Sequence, residues 1–274
     1  MKLAGLTVSG VSVGGMETSI RLRELKLAFD VGRADRDVLS CETILFTHGH
    51  VDHFAGVIAH VAARGLRGMR PPTYVVPPHL EAPLHRLLDI WREIDGAELA
   101  CDVVPLGPGD ALAHQGRLSI RPFAVSHVAP TQGYGIWEQR KKLRPEFAHL
   151  APHEVRDRRQ AGEELTELIE EPLVAFSGDA RAEVLDLDVM RRAKLAIFEV
   201  TFLDELVSVE SARAKGHTHL DEVLERADHL QSEAILMTHF SSRYNPDRVR
   251  AILAERLPDL LRDRVTPFLD NFQQ

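Results

Sequence analysis

Residues 43–57 read TILFTHGHVDHFAGV, an apolar run followed by three histidines and an aspartate within six positions. TILFT has the composition of a strand buried on both faces, and FAGVIAHVAAR beyond it has helical spacing. The cluster therefore falls where a strand gives way to a helix. His48 and His50 are two apart, so an extended segment points both to one side, where they can share a metal ion. Asp52 and His53 lie at the turn into the helix and can aim at a second ion. The spacing suggests two metal sites.

The same arrangement recurs along the chain. LKLAF (25–29), TYVVP (73–77), LSIRPFAVS (118–126), LVAFS (173–177), LAIFEV (195–200) and AILMT (234–238) read as strands, several apolar throughout. APLHRLLDIWREI and LDEVLERADHLQ carry helical spacing between them. This is an α/β pattern in which helices cover sheets. PFAVS runs into His127, LVAFS into Gly178 and Asp179, LAIF into Glu199, and AILMT into His239. Each strand thus delivers a metal-binding or proton-transferring group just past its C-terminal end. Residues 138–172 break the pattern, being highly charged and poor in large apolar side chains, and read as a protruding arm or long loop.

Composition bounds what else the chain can be. Its 274 residues are 44% hydrophobic and 27% charged, ordinary values for a globular protein, and no internal repeat interrupts a single domain over 1–274. No run approaches the roughly 20 apolar residues of a membrane span, and the first ten residues lack the apolar core of a signal peptide, so a cytoplasmic location with no membrane partner is expected. Two cysteines, Cys41 and Cys101, supply neither a disulfide framework nor a multi-cysteine zinc site. A net charge of −8 argues mildly against nucleic acid, which is bound through basic surfaces.

THGHVDH resembles the HxHxDH signature of the metallo-β-lactamase superfamily, and the later ligands stand in the expected order: His127 in VSHV, Asp179 in FSGD, His239 in MTHF. The resemblance implies an αββα sandwich, α/β in class, with His48, His50 and His127 on one ion and Asp52, His53 and His239 on another, bridged by Asp179. The ions would be divalent: zinc first, with manganese or iron accepted by the same donor set. VSVGGMETSIRL, FDVGR, AARGLRGMRPPTYVVPP, EVTFLDE and HFSSRY extend the resemblance to the short form of ribonuclease Z, which removes 3′ trailers from precursor tRNA and forms a homodimer.

That family places a Glu and the leading His of an HST-like motif as a proton-donating pair. Here they correspond to Glu199 and His217, with His219 a rival because the motif reads His217-Thr218-His219. The chemistry fits: a phosphodiester is anionic and has a poor alkoxide leaving group, so its hydrolysis needs charge neutralisation and a proton donor together. Asp52 is the expected acceptor for the attacking water's proton. Arg64, Arg67 and Arg243 are the expected phosphate contacts. Two departures bear on the substrate: GGMETSIRL lacks the PxKxRN-type loop of many bacterial members, and the arm offers only Ala151-Pro152 where they carry a Gly-Pro-rich tip. The alternative substrate is therefore a small phosphodiester or another ester.

Overall fold

The computed structural model describes residues 1–270 and Phe272. One sheet runs in the order Lys2–Leu3, Leu6–Gly14, Glu17–Leu22, Leu27–Phe29, Thr43–Leu45, Thr73–Val76, Asp102–Pro105, with Phe240–Ser241 added beside Leu6–Gly14. The other runs Val265–Pro267, Ala234–Thr238, Leu195–Glu199, Thr166–Phe176, Gln132–Leu143, Leu118–Ala124, Leu112–His114. Their inner faces meet through Phe29, Leu45 and Val75 from the first and Phe176, Ile197 and Leu236 from the second. The Phe29 and Phe176 rings are 4.6 Å apart.

Helices close both outer faces. Val57–Leu66 and Pro78–Asp95 bury Val57, Val61, Leu84 and Leu88 against Ile44, Phe46 and Tyr74. Leu220–Glu225 and Pro246–Arg256 bury Leu220, Val223, Val249 and Ile252 against Phe198, Ile235 and Met237. Strands covered on both sides lose any need for alternation, which is why TIL, LAIF and AILM are apolar throughout. The architecture is the expected αββα sandwich.

Strand direction decides where the chemistry goes. Leu27–Phe29, Thr43–Leu45 and Thr73–Val76 are mutually parallel, as are Thr166–Phe176, Leu195–Glu199 and Ala234–Thr238. Leu118–Ala124 is two antiparallel steps from Thr166–Phe176 and so shares its direction. Parallel strands gather their C-terminal ends at one edge, the usual place for a site in such sheets. Asp30, His48, His127, Asp179, Glu199 and His239 all follow or close strands of this set.

The charged segment is built differently from a loop. Gln132–Leu143 and Thr166–Phe176 stay paired from Tyr134↔Phe176 out to Leu143↔Thr166. Their other neighbours stop earlier, Leu118–Ala124 at Glu138 and Leu195–Glu199 at Val174. The outer part is therefore a two-stranded ribbon, tipped by the helix Pro152–Gln160. Both faces of such a ribbon meet water, which accounts for its charge. No helix among the described residues is long and apolar enough to cross a membrane.

Candidate metal centre

Three overlapping groups of side chains converge at the shared strand edge. His48, His50, His127 and Asp179 form one, Asp52, His53 and His239 the second, and Asp179, His217 and His239 a third, with the ligand atoms of each within 4.8 Å of one another. Asp179 faces the first and the second: its Oδ2 is 3.9 Å from His48 Nε2, and its Oδ1 lies 3.2 Å from His53 Nε2 and 3.4 Å from His239 Nε2. Asp52 Oδ2 stands 3.7 Å from His239 Nε2 and 3.8 Å from His53 Nε2. All seven residues expected as ligands are thus brought together.

The hydrogen bonds fix which nitrogen each imidazole presents. His53 Nδ1 donates to Asp30 Oδ2 at 2.8 Å, and His127 Nδ1 to the Gly216 carbonyl at 2.8 Å. The Thr47 hydroxyl donates to Asp30 Oδ2, so its oxygen is left to accept from His48 Nδ1 at 2.9 Å. The Thr201 hydroxyl donates to Glu199 and accepts from His239 Nδ1 at 3.0 Å. In four histidines the proton is held on Nδ1 and the Nε2 lone pair is turned inward, the arrangement that outer hydrogen bonds impose on metal-binding imidazoles. His48 Nε2 and His127 Nε2 are buried and have no hydrogen-bond partner. Buried polar atoms rarely go unsatisfied. Two aimed at one point fit a divalent ion, and the mixed His/Asp donors suit zinc, manganese or iron.

At His48 and Asp52 the electrostatics agree with that fit. At His53 burial opposes the charged ring, but the charges of Asp179 and Asp30 outweigh it and raise the pKa, so an ion there would displace a proton. Burial, with the neighbouring His53, holds the His48 pKa down to about 2, leaving the neutral imidazole that ligation requires. Burial pushes the Asp52 carboxyl up, but the His239 hydrogen bond and the field of His53 outweigh it and hold the pKa at about 2. The site also stores backbone strain: Asp30 and His239 have φ of +56° and +60°, a left-handed region that non-glycine residues rarely occupy. At Gly216, φ +81°, a Cβ would come within 2.6 Å of His127 Nδ1, so only glycine lets that ring reach the carbonyl behind it.

Beside the second group stand Glu199 and His217, the pair expected to donate a proton. Glu199 is buried and its Oε1 accepts from His217 Nδ1 at 2.8 Å and from the Ala180 amide at 2.9 Å. His217 Nε2 is left free to give a proton. Burial opposes the charged ring, yet the charge and hydrogen bond of Glu199 prevail and raise the pKa to about 9. The rival His219 is buried elsewhere, with Nε2 donating to the Asp204 carbonyl and Nδ1 accepting from the Asp221 amide at the start of Leu220–Glu225. Its nitrogens are committed to structure.

The three arginines part ways. Arg243 lines a pocket with His217 and His239. Arg64 corrects the expectation: only 2% exposed, its guanidinium donates to the carbonyls of Leu39, Cys41 and Arg70. Four of its five N–H donors are thereby taken, and its burial keeps the group from a phosphate. Arg67 is likewise not at the centre, because it caps the far end of Val57–Leu66, a helix about 15 Å long, and bonds the Ala63 carbonyl. Arg64→Ala is expected to lower stability by about 3 kcal/mol, since the lost bonds come from a charged donor and leave buried carbonyls unpaired. Urea unfolding measures this; an unchanged midpoint with a raised KM would restore the phosphate role.

Sequence reasoning missed Asp30, Thr47 and Thr201. Their short polar side chains follow strands like many others, and only the folded edge sets them behind the histidines. FDVGR, TILFT and EVTFLDE carry them, but none contains a spacing that predicts the partner.

The model for the beta-lactamase superfamily domain matches residues 17–240, which puts the chain in that superfamily of metal-site hydrolases. A chloroplastic tRNase Z of Arabidopsis thaliana is 37% identical over 277 residues, covering 100% of this chain and 78% of that protein. A second Arabidopsis tRNase Z is 34% identical over 276 residues, covering 99% and 98%. The chain belongs to the tRNase Z family. Among solved structures, the short form of human tRNase Z superposes with a TM-score of 0.61 at 17% identity, covering 96% and 95% of the two chains. The metallo-beta-lactamase fold protein YhfI from Bacillus subtilis gives 0.63 at 16%, covering 96% and 94%. At those identities the likeness concerns the fold alone.

Proposed function

We propose that the chain is a metal-dependent endoribonuclease that hydrolyses the phosphodiester joining the 3′ trailer to a precursor tRNA, leaving a 3′-hydroxyl on the tRNA. The observation that carries this reading is the pair of buried Glu199 and half-buried His217, 2.8 Å apart, beside the convergent ligand groups. Esters with good leaving groups need no such donor.

His48, His50, His127 and Asp179 would hold one divalent ion, and Asp52, His53, His239 and Asp179 the other. Bound there, zinc ions would supply charge neutralisation for the phosphate and polarise the attacking water. The chain's own groups do the rest. Asp52 is ionised and accepts the hydrogen bond that orients the water. Water adds to phosphorus and gives a proton to Asp52, the bond from phosphorus to O3′ breaks, and His217 Nε2 gives its proton to O3′. Glu199 holds the imidazolium in place and stabilises its charge. Arg243 contacts the substrate from the adjoining pocket. A zinc-loaded homodimer in the cytoplasm completes the proposal.

The test is cleavage of a precursor tRNA carrying a 3′ trailer by protein whose metal content has been measured. Cleavage after the discriminator base is the expected result. Turnover of bis(p-nitrophenyl) phosphate with the tRNA left intact would instead favour a small phosphodiester as substrate.

A further inference from the structure

The pocket on the His217–His239 side is assembled from four separate segments. The parallel pair Ser241↔Gly14 sets the Gly14–Gly15 turn beside Phe240–Ser241 and so beside Arg243. Phe202 follows Glu199 and Thr201 off the end of Leu195–Glu199, and Lys215 lies two residues before His217. Lys215 Nζ rests over the Phe202 ring, 5.1 Å from its centroid. The His217 ring meets the same Phe202 edge-on at 6.1 Å and stacks on His239 at 5.4 Å. The cavity measures about 350 Å³, the low end of the ~300–1,000 Å³ range of ligand pockets.

Its charge is what sets it apart. In a chain of net charge −8, two cations line this pocket and no carboxylate does. Among the described residues neither Lys215 nor the Arg243 guanidinium has an ion-pair partner. A second groove, lined by His127 and not by His217, is larger, about 580 Å³, but its other walls are Pro77, Pro78, His79, Pro108 and residues 124–132, with no lysine or arginine. The two pockets are chemically unequal. At Gly15, φ +72°, an added Cβ would meet nothing within 4 Å, so the turn leaves the pocket open above it.

We propose that this pocket holds the nucleotide whose oxygen leaves, with Lys215 and Arg243 binding the phosphate on that nucleotide's 5′ side. The inference rests on the phosphodiesterase reading. A proton donor must come within hydrogen-bond reach of the oxygen it protonates, so the leaving nucleoside lies on the His217 side. Of the two pockets, this one alone has a lysine and an arginine in its lining for the next phosphate along the chain. The fragment that keeps the scissile phosphate then runs over the uncharged proline-lined groove. Phe202 steers Lys215 by holding its ammonium over the ring face.

Isothermal titration of the metal-loaded protein with adenosine 5′-monophosphate tests this without relying on turnover, with inorganic phosphate and adenosine 3′-monophosphate as comparison ligands. The expected result is that Lys215→Ala and Arg243→Ala each weaken the 5′-monophosphate about tenfold, as losing a charge-assisted phosphate contact does. Inorganic phosphate, held at the centre, changes by less than twofold, and the 3′-monophosphate loses less than the 5′ isomer. Lys215→Arg retains binding. An unchanged 5′-monophosphate affinity in both alanine variants, equal weakening of inorganic phosphate, or no binding to the unaltered protein would each overturn the proposal. Intact precursor tRNA in the cleavage assay, alongside tenfold losses here, would sink the tRNA reading and leave the pocket assignment standing.

Discussion

His217→Ala lowers kcat on precursor tRNA by about 10²–10⁴-fold, the range for loss of a positioned acid, while bis(p-nitrophenyl) phosphate loses far less. The difference lies in the leaving group. A nucleoside O3′ departs as an alkoxide unless protonated, whereas nitrophenolate is stable at neutral pH and needs no donor. Metal content, read by plasma mass spectrometry, stays at the wild-type value, because His217 Nδ1 is occupied by Glu199 and seven other residues supply the first two ligand groups. Equal losses on the two substrates would show that His217 serves the centre in some other way. The pH profile gives an independent reading. The donor works when protonated, so the rate on tRNA falls as pH rises through its pKa, which Glu199 raises to about 9 against the pull of burial. Glu199→Gln removes the charge and keeps the shape, so the alkaline limb moves to lower pH; a limb that stays put would unseat Glu199 from this role.

The donor groups were legible because two independent regularities coincide. Strands covered on both faces announce themselves as apolar runs, and parallel packing sends all their ends to one edge. A histidine or aspartate just past such a run therefore has a predictable destination. The Leu6–Gly14 and Glu17–Leu22 strands escaped notice because glycine and polar residues interrupt them. The ribbon escaped because neither of its faces is buried. Arg64 was misread for a related reason: in AARGLRGMR it looks like any basic surface residue. Its burial depends on the carbonyls of Leu39, Cys41 and Arg70 arriving from either side of the helix. Asp30 and Thr201 act through pairings 17, 23 and 38 residues apart in sequence, for which no local spacing exists, and Thr47, although it adjoins His48, is itself set by Asp30.

Asp30→Asn, an isosteric change, is expected to cost more at the metal centre than its size suggests. Asp30 is fully buried; Oδ1 accepts from the Thr47 amide at 2.8 Å, and Oδ2 accepts from both the Thr47 hydroxyl and His53 Nδ1, each at 2.8 Å. The His48 and His53 groups both depend on that second oxygen. The asparagine carbonyl can keep the backbone bond, which turns its NH2 toward Thr47 and His53. An NH2 donates, so His53 Nδ1 must accept and its proton moves to Nε2, the nitrogen that faces Asp179. The Thr47 hydroxyl, now an acceptor from the amide, donates to His48 Nδ1 and drives that proton to Nε2 as well. One substitution thus blocks a ligand atom in each of these two groups while the fold persists. Outer-shell changes of this kind cost about 10–100-fold in metal affinity, and the wrong tautomer places Asp30→Asn at the upper end or beyond. Asp30→Ala, which imposes no tautomer, loses less. Competition against a chromophoric chelator, with circular dichroism to verify folding, measures both variants. Wild-type affinity for two ions in folded Asp30→Asn protein would mean that Asp30 supports the backbone at Thr47 and does not orient the histidines.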